Sequence, residues 1–230
     1  MNNRKKFIPV ISAILLMVTF ISNISFASNF IDTTEDTIIE SKAITEMTEK
    51  DFLNLKEELL LENVSEEQAN NLIVKLKNGE IWDSMKKEFS DIQPQIIDDN
   101  YEKTIYPDGS FTIVELKDIT PEINTMAINK VRKHLVAVNR GIINSSFCID
   151  YEVNTSTKKA RITSLYNSKV AVIGGHKNLK TGYWNDWRTQ THGWLSFDYN
   201  LGIGDIAFSG NCWLKGYVHG NGNTWADYSY

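Results

Sequence analysis

Tyr101-Glu102-Lys103-Thr104-Ile105-Tyr106-Pro107-Asp108-Gly109-Ser110-Phe111-Thr112-Ile113-Val114-Glu115 is the stretch on which the fold reading turns. Two runs rich in β-branched and aromatic residues flank Tyr106-Pro107-Asp108-Gly109-Ser110. Proline presets its own φ and glycine accepts a positive one, so Pro-Asp-Gly between such runs predicts a β-hairpin. Before this stretch the apolar spacing is helical. After it the spacing alternates by twos.

Upstream, Thr48 is placed to cap a helix, with Asp51 at the third position and Met47 and Phe52 where a hydrophobic staple sits. Phe52, Leu55, Leu59 and Leu60 follow at helical spacing, and Asn63 closes the run. Ser65 with Gln68 forms a second capping box ahead of Ala69, Leu72, Ile73 and Leu76, and Gly79 is a natural terminator. A short helical turn is expected over Ile81–Phe89. Neither helix is long enough to be stable alone, so their apolar faces must pack on each other or on the next region.

Downstream, Phe147, Ile149, Tyr151 and Val153 alternate with polar neighbours, as do Leu195, Phe197, Tyr199 and Leu201. Ile206, Phe208, Cys212, Leu214 and Val218 continue the pattern, and Val170-Ala171-Val172-Ile173 is a short apolar run. Met126–Val138 fits either period and is read as a strand. Short strands between turn residues give the class: α+β, a small N-terminal helical region followed by an antiparallel β-sandwich.

Charge divides the chain at the same place. Ser28–Glu122 carries 23 acidic against 9 basic residues, and Ile123–Tyr230 carries 6 against 12. Five of six Trp and 11 of 13 Gly lie in the second part. The organisation read from this is residues 1–27 a signal peptide, 28–98 an acidic helical region with a flexible start, 99–122 a hairpin connector and 123–230 a basic β domain.

The signal reading rests on Arg4, Lys5 and Lys6 ahead of the 15-residue apolar core Phe7–Ile21, with Ser25-Phe26-Ala27 supplying the small residues a signal peptidase reads. The core is shorter than the roughly 20 residues a spanning helix needs, so cleavage after Ala27 and a secreted or surface-associated product are expected. In that compartment the pair Cys148 and Cys212 is expected to form a disulfide, although Cys148 shares its strand face with Ser146, Asp150 and Glu152 while Cys212 lies on an apolar one.

Val64-Ser65-Glu66-Glu67-Gln68 leading to Asn78-Gly79-Glu80-Ile81-Trp82-Asp83-Ser84, together with Lys103–Ser110, resembles a group of uncharacterised exported proteins of Gram-positive bacteria. In that group a helical leader and a Tyr-Pro-Asp-Gly-Ser hairpin precede a C-terminal all-β domain. Ile142–Val153 is similar to a strand of that domain. The resemblance implies architecture and export and brings no activity.

The residues carry no compact catalytic signature. His134, His176, His192 and His219 lack HExxH or CxxC company, so no metal site and no cofactor are expected. Cys148 is the better of two candidates for a Cys–His nucleophile, but its surroundings read as an ordinary strand. Asp150, Glu152, Asp186, Asp198, Asp205 and Asp227 show no spacing that selects a glycosidase pair. Basic clusters at Lys130–Lys133 and Lys158–Arg161 are too sparse for nucleic acid.

The informative stretch is Tyr183-Trp184-Asn185-Asp186-Trp187-Arg188 with Trp194. Aromatic rings on a loop or an outer sheet face suit recognition, because they bury area at low entropic cost; the same rings can instead fill a small core or cover a sheet edge. Tyr183, Trp184, Trp187, Arg188 and Trp194 are the ligand-binding candidates. The function read from this is an exported non-catalytic binding or interaction protein at the cell surface or on neighbouring cells, bacteriocin-like in role. Its expected partners are anionic cell-wall polymer, glycan or membrane surface. A hydrolase of extracellular polymer, and a β domain masked by an acidic helical pro-segment, are the alternatives. Catalysis is left open, with the reading leaning away from it.

Overall fold

The computed structural model describes residues 44–98, 100–120, 131–202 and 209–229, which fall in one unit, Thr37–Tyr230. The expected signal peptide and flexible start, residues 126–130 of the ambiguous run, and Ile206 and Phe208 lie outside the described residues.

Helix α1 (Glu49–Leu61) and helix α2 (Glu66–Lys77) begin where their capping residues dictate. The Thr48 hydroxyl accepts from the Asp51 N–H at 3.3 Å while the Thr48 N–H donates to the Asp51 carboxylate at 2.8 Å. Ser65 and Gln68 repeat this reciprocal pair. Orphan donors of the first turn are thereby satisfied. Asn63 takes a positive φ of 61° between the helices. At the end of α2 the Gly79 N–H reaches Leu76 O and the Glu80 N–H reaches Lys75 O, the paired bonds of a Schellman stop, with Gly79 at φ 80°. The helices bury Phe52, Leu55 and Leu59 against Ala69, Leu72, Ile73 and Leu76. Leu60, expected on the apolar face, is 40% exposed. The turn expected over Ile81–Phe89 consists of two 3-10 turns, Asp83–Met85 and Lys87–Phe89.

Among the described residues ten strands follow, all paired antiparallel. Strands β1 (Gln95–Asp98), β2 (Tyr101–Ile105), β3 (Phe111–Asp118), β4 (Val131–Asn139), β5 (Ile143–Asn154) and β6 (Lys159–Val172) form one sheet in chain order. Strands β7 (His176–Tyr183), β8 (Gln190–Asn200), β9 (Ser209–His219) and β10 (Thr224–Tyr228) form a second, ordered β10-β9-β8-β7. The molecule is therefore α+β, dominated by two antiparallel sheets.

The expected hairpin is β2–β3. Its turn closes with Gly109 N–H to Tyr106 O and Tyr106 N–H to Ser110 O, both 2.9 Å, and Gly109 sits at φ 86°. The hairpin is more than a connector: β3 pairs with β4 from Ile113↔Asn139 to Asp118↔His134, so it is part of the six-stranded sheet. The turn also anchors the helices. Asp108 accepts from Lys75 Nζ at 2.9 Å, the Asp83 N–H at 2.9 Å and the Ser110 hydroxyl at 2.6 Å. Burial alone would push its carboxyl up, but these bonds hold it below the usual range. Beside it, fully buried Trp82 donates Nε1–H to Leu72 O at 2.9 Å. A Cβ on Gly141, at φ 77° between β4 and β5, would come within 2.6 Å of the Trp82 ring.

The two sheets touch where glycine removes a side chain. Gly193 and Gly216 stand opposite each other in the β8–β9 register. A Cβ on Gly216 would lie 2.6 Å from Val136 Cγ2, and one on Gly193 would lie 3.1 Å from Ile149 Cγ2 and Leu165 Cδ1. The missing side chains let the six-stranded sheet seat its own residues into the smaller one.

Cys148 and Cys212 are both buried and both free, in contrast to the expected disulfide. The physical reason is strand parity. Phe147 and Ile149 turn toward the smaller sheet, so Cys148 between them turns away, with its thiol toward Asn167. Cys212, opposite Phe197, turns inward in the other sheet with Ser229 beside it. The two side chains face in unrelated directions from different sheets, which no bridge geometry tolerates.

Candidate functional site

Strand parity in the four-stranded sheet sorts its residues into two sets. Leu195 and Phe197 on β8, and Cys212, Leu214 and Val218 on β9, are buried on the inner face. The alternate positions are half-buried or exposed, and the pairing register brings them into rows across the strands.

One row is His192 on β8, Tyr217 on β9 and Trp225 on β10. Their rings touch in sequence: His192 to Tyr217 at 5.1 Å between centroids, then Tyr217 to Trp225 at 5.1 Å and only 4° from parallel. The adjacent row is Gly182, Trp194, Lys215 and Asp227. Here the indole of Trp194 lies across Gly182, where a Cβ would come within 2.7 Å of Cζ2. Glycine at 182 is what allows the ring to settle onto the backbone. A third row pairs Ser196 with Trp213, and the Lys215 ammonium stands 4.3 Å from the centre of the Trp213 ring.

The loop after β7 borders this face. Trp184 is tied down by its own backbone: its N–H donates to His192 O, and its carbonyl accepts from the Thr191 hydroxyl at 3.1 Å and the Ile162 N–H at 3.3 Å. The Arg188 guanidinium covers the Trp184 ring at 4.2 Å and bonds Asp186 at 2.8 Å. The charges of Lys215 and Arg188 both reach His192. Burial is the first cause that lowers its pKa, and the two cations add to it.

Of the five residues expected from sequence, Trp184, Arg188 and Trp194 are gathered here. Tyr183 and Trp187 are drawn elsewhere. Tyr183 pairs with inward-facing Gly193, and its hydroxyl donates to Thr163 O on β6 at 3.4 Å. Trp187 lies under the Arg161 guanidinium at 4.8 Å, and Arg161 pairs with Glu152 at 2.9 Å in the other sheet. Reading the loop as one patch missed this divergence. Sequence reasoning also left His192, Lys215, Tyr217 and Trp225 off the candidate set. The parity of Trp213 and Tyr217 against Leu214 was the available signal, but the cross-strand register that places them beside Trp194 is not written in any one strand.

The histidines do not converge. His176 packs edge-on against Phe197, His134 is buried against Tyr151, and His219 accepts from the Asn221 N–H. Among the described residues no histidine hydrogen-bonds a carboxylate or thiol, and no three His, Cys, Asp or Glu side chains are grouped to hold a metal ion. No described helix is long and apolar enough to cross a membrane.

No protein-family model and no curated protein matches the chain. Among solved structures it is similar to the crystal structure of a hypothetical protein from Listeria monocytogenes EGD-e. The two share 17% identity at a TM-score of 0.33, over 62% of this chain and 98% of that one.

Proposed function

We propose that this chain is an exported, non-catalytic binding protein of a Gram-positive bacterium, acting at the cell surface or on neighbouring cells in a bacteriocin-like role. In this reading the two sheets form a β-sandwich whose inner faces make the core. The outer face of the smaller sheet is the recognition surface. The observation that carries the reading is that face itself: Trp194, Trp213, Tyr217 and Trp225 project from regular strands beside Trp184 and Arg188 instead of filling the core. Rings held by a rigid sheet lose little entropy on binding, which suits recognition.

The helical region reads as a permanent part of the fold. Its buried Trp82 lies against Gly141 between β4 and β5, and its contacts with the hairpin run through the Asp108 bonds, where the ion pair places a helical lysine on a hairpin aspartate. That is the reverse of what a detachable acidic mask over a basic domain requires.

The test is sedimentation of the purified protein with cell-wall fragments and with lipid vesicles, beside a Trp184→Ala/Trp194→Ala variant. Retention on one of these surfaces that drops at least about tenfold in the variant supports the reading. Equal retention of parent and variant overturns it.

A further inference from the structure

We propose that the outer face of the β7–β10 sheet is a subsite for an acidic glycan, with a pyranose ring stacked on Trp194 and its carboxylate held by Lys215. This deepens the binding reading above and rests on it.

The first support is what the face lacks. At the outward positions of β8, β9 and β10 there is no Leu, Ile, Val, Met or Phe. The outward set is aromatic, amide, hydroxyl and charged, as in Trp194, Ser196, Asp198, Asn211, Trp213 and Lys215. A lipid-docking face needs protruding aliphatic or aromatic groups that enter the acyl boundary. Here Trp194 is half-buried and settled onto Gly182, while the more exposed Trp225 lies parallel to Tyr217 and Trp184 lies under the Arg188 guanidinium, so the rings offer faces rather than protruding wedges. A sugar matches this pattern: its C–H face stacks on a ring while its hydroxyls meet amides and hydroxyls around it.

The second support is charge. Lys215 is the direct cross-strand neighbour of Trp194. Its ammonium lies against the Trp213 ring, and among the described residues no ion pair holds it. Arg188 is already paired with Asp186, so Lys215 is the cation this row offers a ligand. An anionic group one residue's width from the Trp194 ring meets this ammonium at short range, where a charge-assisted hydrogen bond to Lys215 forms. The nearest cross-strand carboxylate, Asp227, sits on the far side of Lys215 from Trp194 and leaves the Trp194 side open to the ligand. A neutral glycan gains the stacking without this bond.

The experiment titrates the purified protein, by tryptophan fluorescence at low salt, with three probes. These are a hyaluronan hexasaccharide bearing a carboxylate on alternate sugars, neutral chitohexaose, and phosphatidylglycerol vesicles. The parent is expected to bind hyaluronan about tenfold more tightly than chitohexaose. Lys215→Gln, at a half-exposed position, should erase that preference by removing the carboxylate's charged partner. Trp194→Ala should weaken both sugars together. Gly182→Ala, which lifts the ring without removing it, should do the same, with circular dichroism verifying the fold of each variant. A preference that survives Lys215→Gln overturns the proposal, as does vesicle binding without sugar binding. Failure of all sugar probes while wall fragments still retain the parent, but not its Trp184/Trp194 variant, overturns the acidic-glycan assignment and leaves the binding reading standing.

Discussion

The corner where the helices meet the hairpin and the outer face of the four-stranded sheet use the same residue type in opposite ways. Trp82 is fully buried, with its one polar atom bonded to Leu72 O and its ring against Gly141. Trp225 and Trp184 keep 38% and 46% of their surface exposed, held by ring stacking and by a guanidinium. The corner is a small core that joins two kinds of secondary structure. The sheet face is displayed on a core that lies beneath it. A tryptophan therefore reports nothing about its role until its partners are known: burial with a satisfied N–H marks structure, whereas a projecting row leaves ring faces open to solvent.

The strongest attempt to break this contrast is Trp82→Ala. Removing a fully buried indole costs about 3–5 kcal/mol, so urea unfolding should show a single transition at much lower midpoint. If the helical circular dichroism alone is lost and the β transition stays put, the corner does not unite the two regions. Trp225→Ala is the matched control and should shift stability far less, by about 1 kcal/mol for the lost ring pair.

A smaller effect is expected where the two sheets meet. Gly216→Ala places a methyl 2.6 Å from Val136 Cγ2, and a β-branched strand residue has little freedom to move away. Overpacking of this kind costs about 1–3 kcal/mol. Thermal unfolding that matches the parent would show that the sheets are not seated on each other there.

Acid should separate the regions by sign. In the helical region burial raises the Glu58 carboxyl from its ordinary 4.5 to about 7. The folded state therefore binds this proton more tightly than the unfolded chain, and α1 gains stability as pH falls from about 7 toward 4.5. In the β region burial lowers His134, as it does His176 and His192. Their neutral forms favour folding, and that contribution is lost as pH falls below 6.5, where the unfolded chain takes up the protons. Hydrogen exchange corrected for intrinsic rates should show protection rising in α1 and falling in β4 between pH 7.5 and 5. Parallel changes in both would contradict the opposed shifts.

The smallest expected effect is that of reductant. Because Cys148 turns away from the sheet that carries Cys212 and both thiols are free and pushed up by burial, dithiothreitol should leave the melting temperature unchanged. A thiol reagent should find two thiols only after denaturation. A melting temperature that drops on reduction would restore the bridge.

Local chemistry was legible from residues alone. Thr48 with Asp51, Ser65 with Gln68, Gly79, and Pro107-Asp108-Gly109 each act over a few residues, and each produced the cap, stop or turn it specified. Alternation along β5, β8 and β9 likewise fixed which side chains share a face, because a strand has period two whatever surrounds it. What the tertiary structure decided is everything that depends on which strand lies next to which. Register placed Trp194 beside Lys215 and Tyr217 beside Trp225, drew Tyr183 and Trp187 toward other partners, joined the hairpin to the large sheet and kept the two cysteines apart. These contacts join residues far apart in sequence, and they form only once the cores beneath them have closed.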